Sequence, residues 1–225
     1  MKPRISIIIP TKNEEETIGE IIDAVKPHGD EIMVVDGKSR DRTREIALAK
    51  NTKIVIDSGQ GKGAAIRAGI KEAQGDIIVF IDADGSHDAA DIPRLVEPII
   101  EEEADMVIGS RMRGGSDELH GTLKEMIRLW GSGVITLAIN WRFGKNITDY
   151  QNGFRALRTS MARALTLKEK HTTIEQEMSI DCIKKGYRII EVPTHEYRRR
   201  GGVSKVNTLR HGPRYVYSLI KNLFF

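Results

Sequence analysis

The stretch Asp76–Asp84, with the sequence DIIVFIDAD, decides the fold class of this chain. Its centre is a short run of β-branched and aromatic residues, which is typical of a buried strand, and two carboxylates follow the run. Similar apolar runs occur at Ile5–Ile9, Glu31–Asp36 and Lys53–Asp57 before it, and at Asp105–Gly109 after it. We predict a strand at each of these positions and at Asp76–Asp82.

Helical segments separate the predicted strands, and they carry apolar residues at helical spacing, as Ile18, Ile21 and Val25 do in the first of them. The predicted helices of this half are Glu14–Val25, Arg42–Lys50, Lys62–Ala73 and Ala90–Glu103. Strands that alternate with helices of this length indicate βαβ units. We therefore predict an α/β fold whose mostly parallel sheet has helices on both faces.

The second half of the chain is less regular. The predicted helices are Glu118–Asn140, interrupted at Gly131–Gly133, then Ser160–Leu167, Ile174–Lys185 and the basic, aromatic Asn207–Phe225. We predict a strand at Tyr187–Val192 and a basic loop at Arg198–Lys205, but none over the mixed segment Asp149–Leu157. Because no linker rich in Pro, Gly or Ser divides the chain, we predict one domain over residues 1–205 and a terminal helix over 206–225.

Charge is unevenly distributed along the chain. The formal net charge is +3, but Asp181–Phe225 contains ten Lys or Arg residues against three Asp or Glu residues. Such asymmetry favours an anionic partner, either nucleic acid or a membrane surface. The 40% of hydrophobic and 30% of charged residues exclude low-complexity disorder and collagen-like repeats.

The sequence contains few features that indicate the cellular compartment. Cys182 is the one cysteine, so an intrachain disulfide is excluded and a reducing compartment is expected. No run approaches the ~18 consecutive apolar residues of a transmembrane helix. Pro10 ends the first apolar run too early for a signal peptide.

Polar residues follow the predicted strands, where parallel sheets bind their ligands. They are Pro10–Glu14, Asp36–Ser39, Gly59–Gly63, Asp82–Asp84 and Ser110–Arg111. Asp82 and Asp84 are the strongest signal, because two carboxylates that close a buried strand need a neutralising cation. Mg²⁺ or Mn²⁺ would suit them as a bridge to phosphates, and solvated loop aspartates or a helix cap are the alternative.

Other polar groups are ambiguous when each is considered alone. Gly61–Ala65 opens a helix and suits an anion, but it is not a P-loop and is also an ordinary helix start. Asp36 either accepts hydrogen bonds from a base or ribose, or caps the next helix. Arg128 and Ser132 share one helical face and could bind a phosphate with Arg111, or could simply be solvated.

The basic loop Arg198–Lys205 is either an anion-binding loop or a solvated charge cluster. It lacks interleaved aromatic residues, which disfavours nucleic acid as the partner. The histidines show no metal-binding spacing, and no serine or cysteine nucleophile motif occurs.

Taken in order, the motifs resemble glycosyltransferase family 2, and within it the dolichyl-phosphate (polyprenyl-phosphate) mannose and glucose synthases. The segments that carry the resemblance are Ile7–Glu14, Val34–Ser39, Gly61–Ala64, Asp82–His87, Gly109–Arg111 and Asp149–Arg155. The resemblance implies the GT-A glycosyltransferase fold, with a mostly parallel Rossmann-like sheet, and covers about residues 5–205. It places the donor half at about residues 1–111 and the acceptor half at about 112–205.

The resemblance implies a UDP- or GDP-hexose donor and a divalent metal, Mg²⁺ or Mn²⁺. The implied nucleotide-sugar-binding residues are Pro10, Lys12, Glu14, Val35, Asp36, Gly37, Lys62, Asp82, Ala83, Asp84 and Arg111. Asp82, Asp84 and Ser86 match the metal-binding positions, although relatives often have Gln where Ser86 stands. Gly37 replaces a second acidic residue that is frequent in the family, so base recognition differs there.

The resemblance also implies a dolichyl or polyprenyl phosphate acceptor. Arg128, Ser132, Arg199 and Lys205 are the expected acceptor-phosphate residues, and Asp149, Gln151 and Glu175 are expected in the sugar and acceptor pocket. The expected catalytic residues are Asp82, Asp84, Arg111, Arg128, Ser132 and Arg199. An anionic phosphate can attack the anomeric carbon without a general base, so cations that hold two anions together suffice.

The expected location is cytoplasmic, peripheral at the cytoplasmic face of the membrane. The terminal helix Tyr215–Phe225 is apolar on most faces and has basic neighbours, so it either lies in an anionic membrane interface or packs on the domain or on a second subunit.

The expected activity is inverting, metal-dependent hexosyl transfer to a lipid phosphate. The alternatives are a soluble phosphate such as phosphoglycerate, or a glycan, as acceptor. A sugar-phosphate nucleotidyltransferase is disfavoured because Pro10–Asn13 lacks its Gly-rich signature, and a non-enzymatic basic module is disfavoured by the two strand-end carboxylates.

Overall fold

The computed structural model describes residues 2–117, 123–201 and 208–224. The strands are β1 (Ile5–Thr11), β2 (Glu31–Asp36), β3 (Lys53–Ile56), β4 (Ile77–Phe80), β5 (Met106–Ser110), β6 (Arg155–Arg158) and β7 (Ile189–Pro193). The helices are α1 (Ile18–Val25), α2 (Thr43–Ala49), α3 (Lys62–Glu72), α4 (Ile92–Ile100), α5 (Arg111–Gly114), α6 (Leu123–Phe143), α7 (Thr159–Ala164), α8 (Ile174–Lys184) and α9 (Thr208–Phe224).

The strands of the described residues form one sheet in the order β3-β2-β1-β4-β6-β5-β7. All neighbouring pairs are parallel except those that include β6, which runs antiparallel to both β4 and β5. The order of the strands reverses between β1 and β4, which is where open α/β sheets form a ligand crevice at their carboxyl ends.

Two hydrophobic layers cover the sheet, as the alternation of side chains along a strand requires. Ile7 and Ile9 of β1 point to one face and pack with α1 and α4, whereas Ile8 points to the other and packs with α3, α7 and α8. The predicted α/β fold with helices on both faces is confirmed.

Strand β6 falls in a segment where no strand is predicted from the sequence. A charged residue, Arg155, begins this strand and disguises it as a polar loop. Arg155 is buried because its guanidinium donates hydrogen bonds to main-chain oxygens of Tyr150, Asn152 and Glu175 and to the hydroxyl of Ser179. It thereby ties β6 to α8 and to the loop that precedes the strand.

Helix α6 runs through Gly131–Gly133 without the predicted interruption. Each helical glycine costs about 1 kcal/mol relative to alanine, and tertiary packing offsets that cost here. Residues of α6 such as Ile135 and Ile139 pack with Leu219 and Leu223 of α9 in a third hydrophobic cluster. The inner side of the terminal helix thus packs on the domain. Among the described residues, no helix is long and apolar enough to cross a membrane.

Replacing Arg155 by methionine should lower the free energy of unfolding by about 3 kcal/mol, since several buried oxygens would lose their donor. Urea denaturation followed by circular dichroism measures the change. The matched control is Arg42→Met, which removes an exposed pair with Glu45 and should change stability by less than about 0.5 kcal/mol. Equal effects of the two substitutions would contradict the role given to Arg155.

Candidate active site

The carboxyl ends of β1, β2, β4 and β5 open into a pocket of about 580 Å³, a volume that suits a small-molecule ligand. Loops after these strands form its floor. Helices α3, α6, α8 and α9 supply parts of its walls through residues such as Lys62, Ser132, Glu175 and Tyr215. The pocket therefore draws on both halves of the chain.

Lys62 bridges two carboxylates at the centre of this pocket. Its ammonium lies 2.7 Å from Oδ1 of Asp82 and 2.8 Å from Oε1 of Glu175. Burial alone would lower the pKa of Lys62, but the two carboxylates raise it above its ordinary value. Burial alone would likewise raise the pKa of Asp82, but Lys62, His87 and Arg199 lower it. Lysine and aspartate are therefore both ionised at neutral pH.

Asp84 is held by a second cation. Its Oδ2 lies 2.9 Å from Nη2 of Arg199, and its Oδ1 accepts hydrogen bonds from the main-chain nitrogen and the hydroxyl of Ser86 at 3.0 and 2.6 Å. Gly85 sits between them with a φ of +76°, in the left-handed region that favours glycine. This tight turn aims the carboxylate of Asp84 and the hydroxyl of Ser86 into one pocket.

The donor atoms of Asp82, Asp84 and Ser86 are hard oxygens, which fit Mg²⁺ or Mn²⁺. No group of three or more His, Cys, Asp or Glu residues in the described ranges forms a complete metal cage. Ions of this type commonly take water and substrate phosphates as further ligands.

Arg111 also lines the pocket, but its guanidinium is already paired. It lies 2.6 Å from Oδ2 and 2.9 Å from Oδ1 of Asp149, and 3.2 Å from Oε1 of Glu196. Burial alone would raise the pKa of Asp149, but Arg111 holds it below its ordinary value. The arrangement ties the end of β5 to two loops, so Arg111 is a structural link as well as a pocket residue.

Two of the predicted nucleotide-binding residues at the end of β2, Val35 and Asp36, do not line the pocket. Asp36 is buried outside the pocket lining, and its Oδ2 accepts a hydrogen bond from the main-chain nitrogen of Ser39 at 3.0 Å. It closes the loop after β2 and does not cap α2, which begins after Arg42. Val35 is buried in the core behind that loop, where it packs with Met33.

The structure brings most of the sequence-predicted residues together. Those lining the pocket are Pro10, Lys12, Glu14, Gly37, Lys62, Asp82, Ala83, Asp84, Ser86, Arg111, Ser132, Gln151, Glu175 and Arg199. Val35, Asp36 and Asp149 lie behind the pocket wall. Lys205 lies outside the described residues, as does the side chain of Arg128.

Sequence reasoning gave no role to several other pocket residues. Gly153 is the most informative, because an added Cβ would lie 2.6 Å from Nζ of Lys62 and 2.9 Å from Oδ2 of Asp82. The motif Asp149–Arg155 contained this glycine, but the close approach that requires it cannot be seen in a linear sequence. His87 is another, a buried ring that stacks on Phe154 at a centroid distance of 5.0 Å.

Helix α9 also contributes to the pocket, which the sequence did not indicate. Tyr215 lines it and donates a hydrogen bond from its hydroxyl to Oγ1 of Thr172 at 2.6 Å. Lys221 of the same helix lies 3.2 Å from Oε1 of Glu169. The neighbouring main-chain oxygen of Lys170 accepts from the nitrogen of Gly63 at the start of α3. Helix α9 therefore contacts the loop that precedes α8, and this loop in turn contacts the start of α3, where Lys62 lies.

A solved glucosyl-3-phosphoglycerate synthase from Mycobacterium tuberculosis, in complex with Mn²⁺, uridine diphosphate and glucosyl-3-phosphoglycerate, has a similar structure. The TM-score is 0.79, and the match covers 99% of this chain and 80% of that one at 24% identity. The likeness establishes the fold, which is the GT-A glycosyltransferase fold, and confirms that expectation.

Sequence comparisons identify the family. The undecaprenyl-phosphate mannosyltransferase of Micrococcus luteus is 36% identical over 221 residues, covering 91% of this chain and 88% of the relative. The glycosyltransferase AglJ of Haloferax volcanii is 33% identical and matches 88% of this chain, which spans 64% of that relative's length. The model of glycosyl transferase family 2 matches residues 6–166, and the chain therefore belongs to this family of glycosyltransferases.

Proposed function

We propose that this glycosyltransferase moves a hexose, with inversion, from a UDP- or GDP-sugar to the phosphate of a polyprenyl lipid such as dolichyl phosphate. The observation that carries the proposal is the pairing of Asp82 with Lys62 and of Asp84 with Arg199 at the crevice between β1 and β4. A pocket with both carboxylates and cationic side chains suits a ligand that carries a divalent metal and phosphate groups. The carboxylates can bind the metal, and the cations can bind the phosphates.

In this proposal Asp82, Asp84 and Ser86 would hold Mg²⁺ or Mn²⁺, and the ion would supply positive charge to the diphosphate of the donor. Pro10, Lys12, Glu14 and Gly37 lie at the neighbouring strand ends and bind the nucleoside. Lys62 lies beside Asp82 and contacts the donor phosphates or sugar. Oε2 of Glu175 is buried without a hydrogen-bond partner among the described residues, so it can accept a hydrogen bond from a sugar hydroxyl.

The chemistry of the pocket suits a phosphate acceptor. Asp82, Glu175, Asp84 and Glu196 are each paired with a lysine or arginine, which weakens them as general bases. An acceptor phosphate oxygen carries its own negative charge and forms the new bond to the anomeric carbon as the bond to the leaving diphosphate breaks. Arg199, Arg128, Ser132 and Lys205 are the proposed contacts to that phosphate, and Asp149 acts by orienting Arg111.

The relative from Micrococcus luteus, whose name gives undecaprenyl phosphate as its acceptor, supports the lipid assignment. The second candidate is a soluble phosphate acceptor, supported by the similar structure of a synthase bound to glucosyl-3-phosphoglycerate. A glycan acceptor is the remaining alternative. Membership of glycosyltransferase family 2 excludes the nucleotidyltransferase and the non-enzymatic binding module as alternative functions.

We place the protein at the cytoplasmic face of the membrane, where nucleotide sugars and lipid phosphates meet.

A transfer assay tests the acceptor. UDP-glucose, GDP-mannose and UDP-N-acetylglucosamine are each offered with undecaprenyl phosphate, dolichyl phosphate, 3-phosphoglycerate or a short glycan, and the products are identified by mass spectrometry. We expect one donor to yield a glycosyl-phosphoryl lipid at rates well above nucleotide-sugar hydrolysis. Transfer to phosphoglycerate or glycan alone would contradict the lipid acceptor but would agree with membership of glycosyltransferase family 2.

Asp84→Asn should reduce transfer by about 100-fold or more, because the substituted amide is a poorer ligand for a hard cation. EDTA should abolish wild-type transfer, and Mn²⁺ or Mg²⁺ should restore it. The matched control is Asp88→Asn, which changes a nearby aspartate that caps a short helix outside the pocket lining. Near-normal transfer by the Asp84 variant, or wild-type transfer that persists in EDTA, would refute the metal assignment.

Gly153→Ala should lower kcat/KM by about 10- to 100-fold, with a smaller loss of thermal stability. The new methyl group would push apart Lys62 and Asp82, whose charged ends are mobile enough for the fold to survive. Steady-state kinetics and a melting curve measure the two effects. Gly131→Ala is the control, because its added Cβ meets no atom within 4 Å. A Gly153 variant as active as this control would disprove the close approach.

A further inference from the structure

The outer side of α6 carries an apolar stripe that the pocket does not use. Its members are exposed and follow one another at i, i+4, i+8, i+11 and i+15, which places them on one side of the helix; they are Met126, Trp130, Val134, Leu137 and Trp141. Trp130 and Trp141 are 74% and 82% exposed, and they are the only tryptophans in the chain. A stripe of large apolar side chains in solvent marks an interaction surface.

Helix α9 adds a second stripe of exposed apolar residues, formed by Val216, Tyr217, Ile220 and Phe224. Its opposite side packs through Leu219 and Leu223 on the buried side of α6. Both stripes therefore face away from the cluster that the two helices share. These nine exposed residues are called the α6–α9 surface below.

The charges on the two helices indicate the kind of partner. Their sequences contain one acidic residue, Glu125, and several basic residues, namely Lys124, Arg128, Arg142, Arg210, Arg214 and Lys221, the last of which pairs with Glu169. A protein core would complement the apolar stripe but not this excess of positive charge. A bilayer with anionic lipids complements both, and tryptophan side chains favour the membrane interface.

The same two helices also form part of the pocket. Leu129 and Ser132 of α6 and Tyr215 of α9 line it, so the pocket lies on the inner side of the two helices that carry the stripes. A protein docked through this surface would hold the pocket one helix diameter, about 10 Å, from the lipid headgroups. That is where the phosphate of a lipid acceptor resides.

We propose that the α6–α9 surface docks the enzyme on an anionic bilayer, with Trp130 and Trp141 inserted in the interface. This inference rests on the proposed transfer to a lipid phosphate, because that acceptor gives the docking its purpose. The sequence pointed only to the terminal helix as a membrane contact. The structure adds α6, which packs against α9 and exposes the two tryptophans.

The first test uses vesicles of phosphatidylcholine with 30% phosphatidylglycerol, and vesicles of phosphatidylcholine alone, without donor or acceptor. We expect the protein to float with the anionic vesicles, to bind the neutral ones at least about tenfold more weakly, and to detach as salt rises. Because both tryptophans lie on the surface, binding should shift their fluorescence to shorter wavelength. A protein that binds neither kind of vesicle overturns the proposal.

The second test uses the double variant Trp130→Ser/Trp141→Ser, with Leu137→Glu as an independent variant. Both should bind anionic vesicles about tenfold more weakly or worse. Both should also keep wild-type transfer to a short-chain, water-soluble prenyl phosphate, because the changed residues do not line the pocket. The control is Leu48→Ser/Ile56→Ser, which changes exposed apolar residues on α2 and β3 and should bind as the wild type does.

The outcomes separate this proposal from the proposed function. Wild-type vesicle binding by both α6 variants overturns the docking surface. The proposal is also overturned if the wild-type protein is a dimer that does not bind vesicles and the double variant is a monomer. The surface would then be an interface between copies of the chain. In either case, transfer to short-chain prenyl phosphate would leave the proposed function standing. Vesicle binding that is lost in the variants, with no transfer to any prenyl phosphate, would sustain the surface and refute the lipid acceptor.

Discussion

The shared ion pair of Lys62 with Asp82 and Glu175 is the interaction on which the candidate site depends. Each partner comes from a different element: the loop after β4, the first residue of α3 and the first turn of α8. Isolated charges at this depth would be costly, so the three groups stabilise one another only when the sheet and both helices are in place. The fold thus assembles the site, and the site's charges favour the assembled fold.

Tight main-chain packing positions this lysine. An added Cβ on Gly61 would lie only 2.5 Å from the main-chain oxygen of Lys170, and one on Gly63 would overlap the main-chain oxygen of Glu169. Arg155 holds α8 to the loop before β6, and Tyr215 of α9 donates a hydrogen bond to Thr172 in the loop that precedes α8. The pocket wall therefore links the first half of the chain to α9.

Much of this arrangement could be predicted from sequence, because an apolar run followed by polar residues is a local pattern. Asp82, Asp84 and Lys62 were identified from their positions after apolar runs, and the structure brings them to one pocket. Strand β6, the close approach at Gly153 and the exposed stripe on α6 could not be foreseen. Each depends on which residues meet in space: a buried arginine resembles a loop residue, and a helical stripe looks the same whether it faces a core or solvent.

The central claim is that the Asp82–Asp84 pocket binds a nucleoside diphosphate together with a divalent cation. Calorimetric titration of UDP and of GDP into the full-length protein, with Mn²⁺ and then with EDTA, tests it directly. The account predicts that one nucleotide binds one site per chain, at least about tenfold more tightly with Mn²⁺ than without it. Binding of neither nucleotide, or binding of equal strength in EDTA, would contradict it.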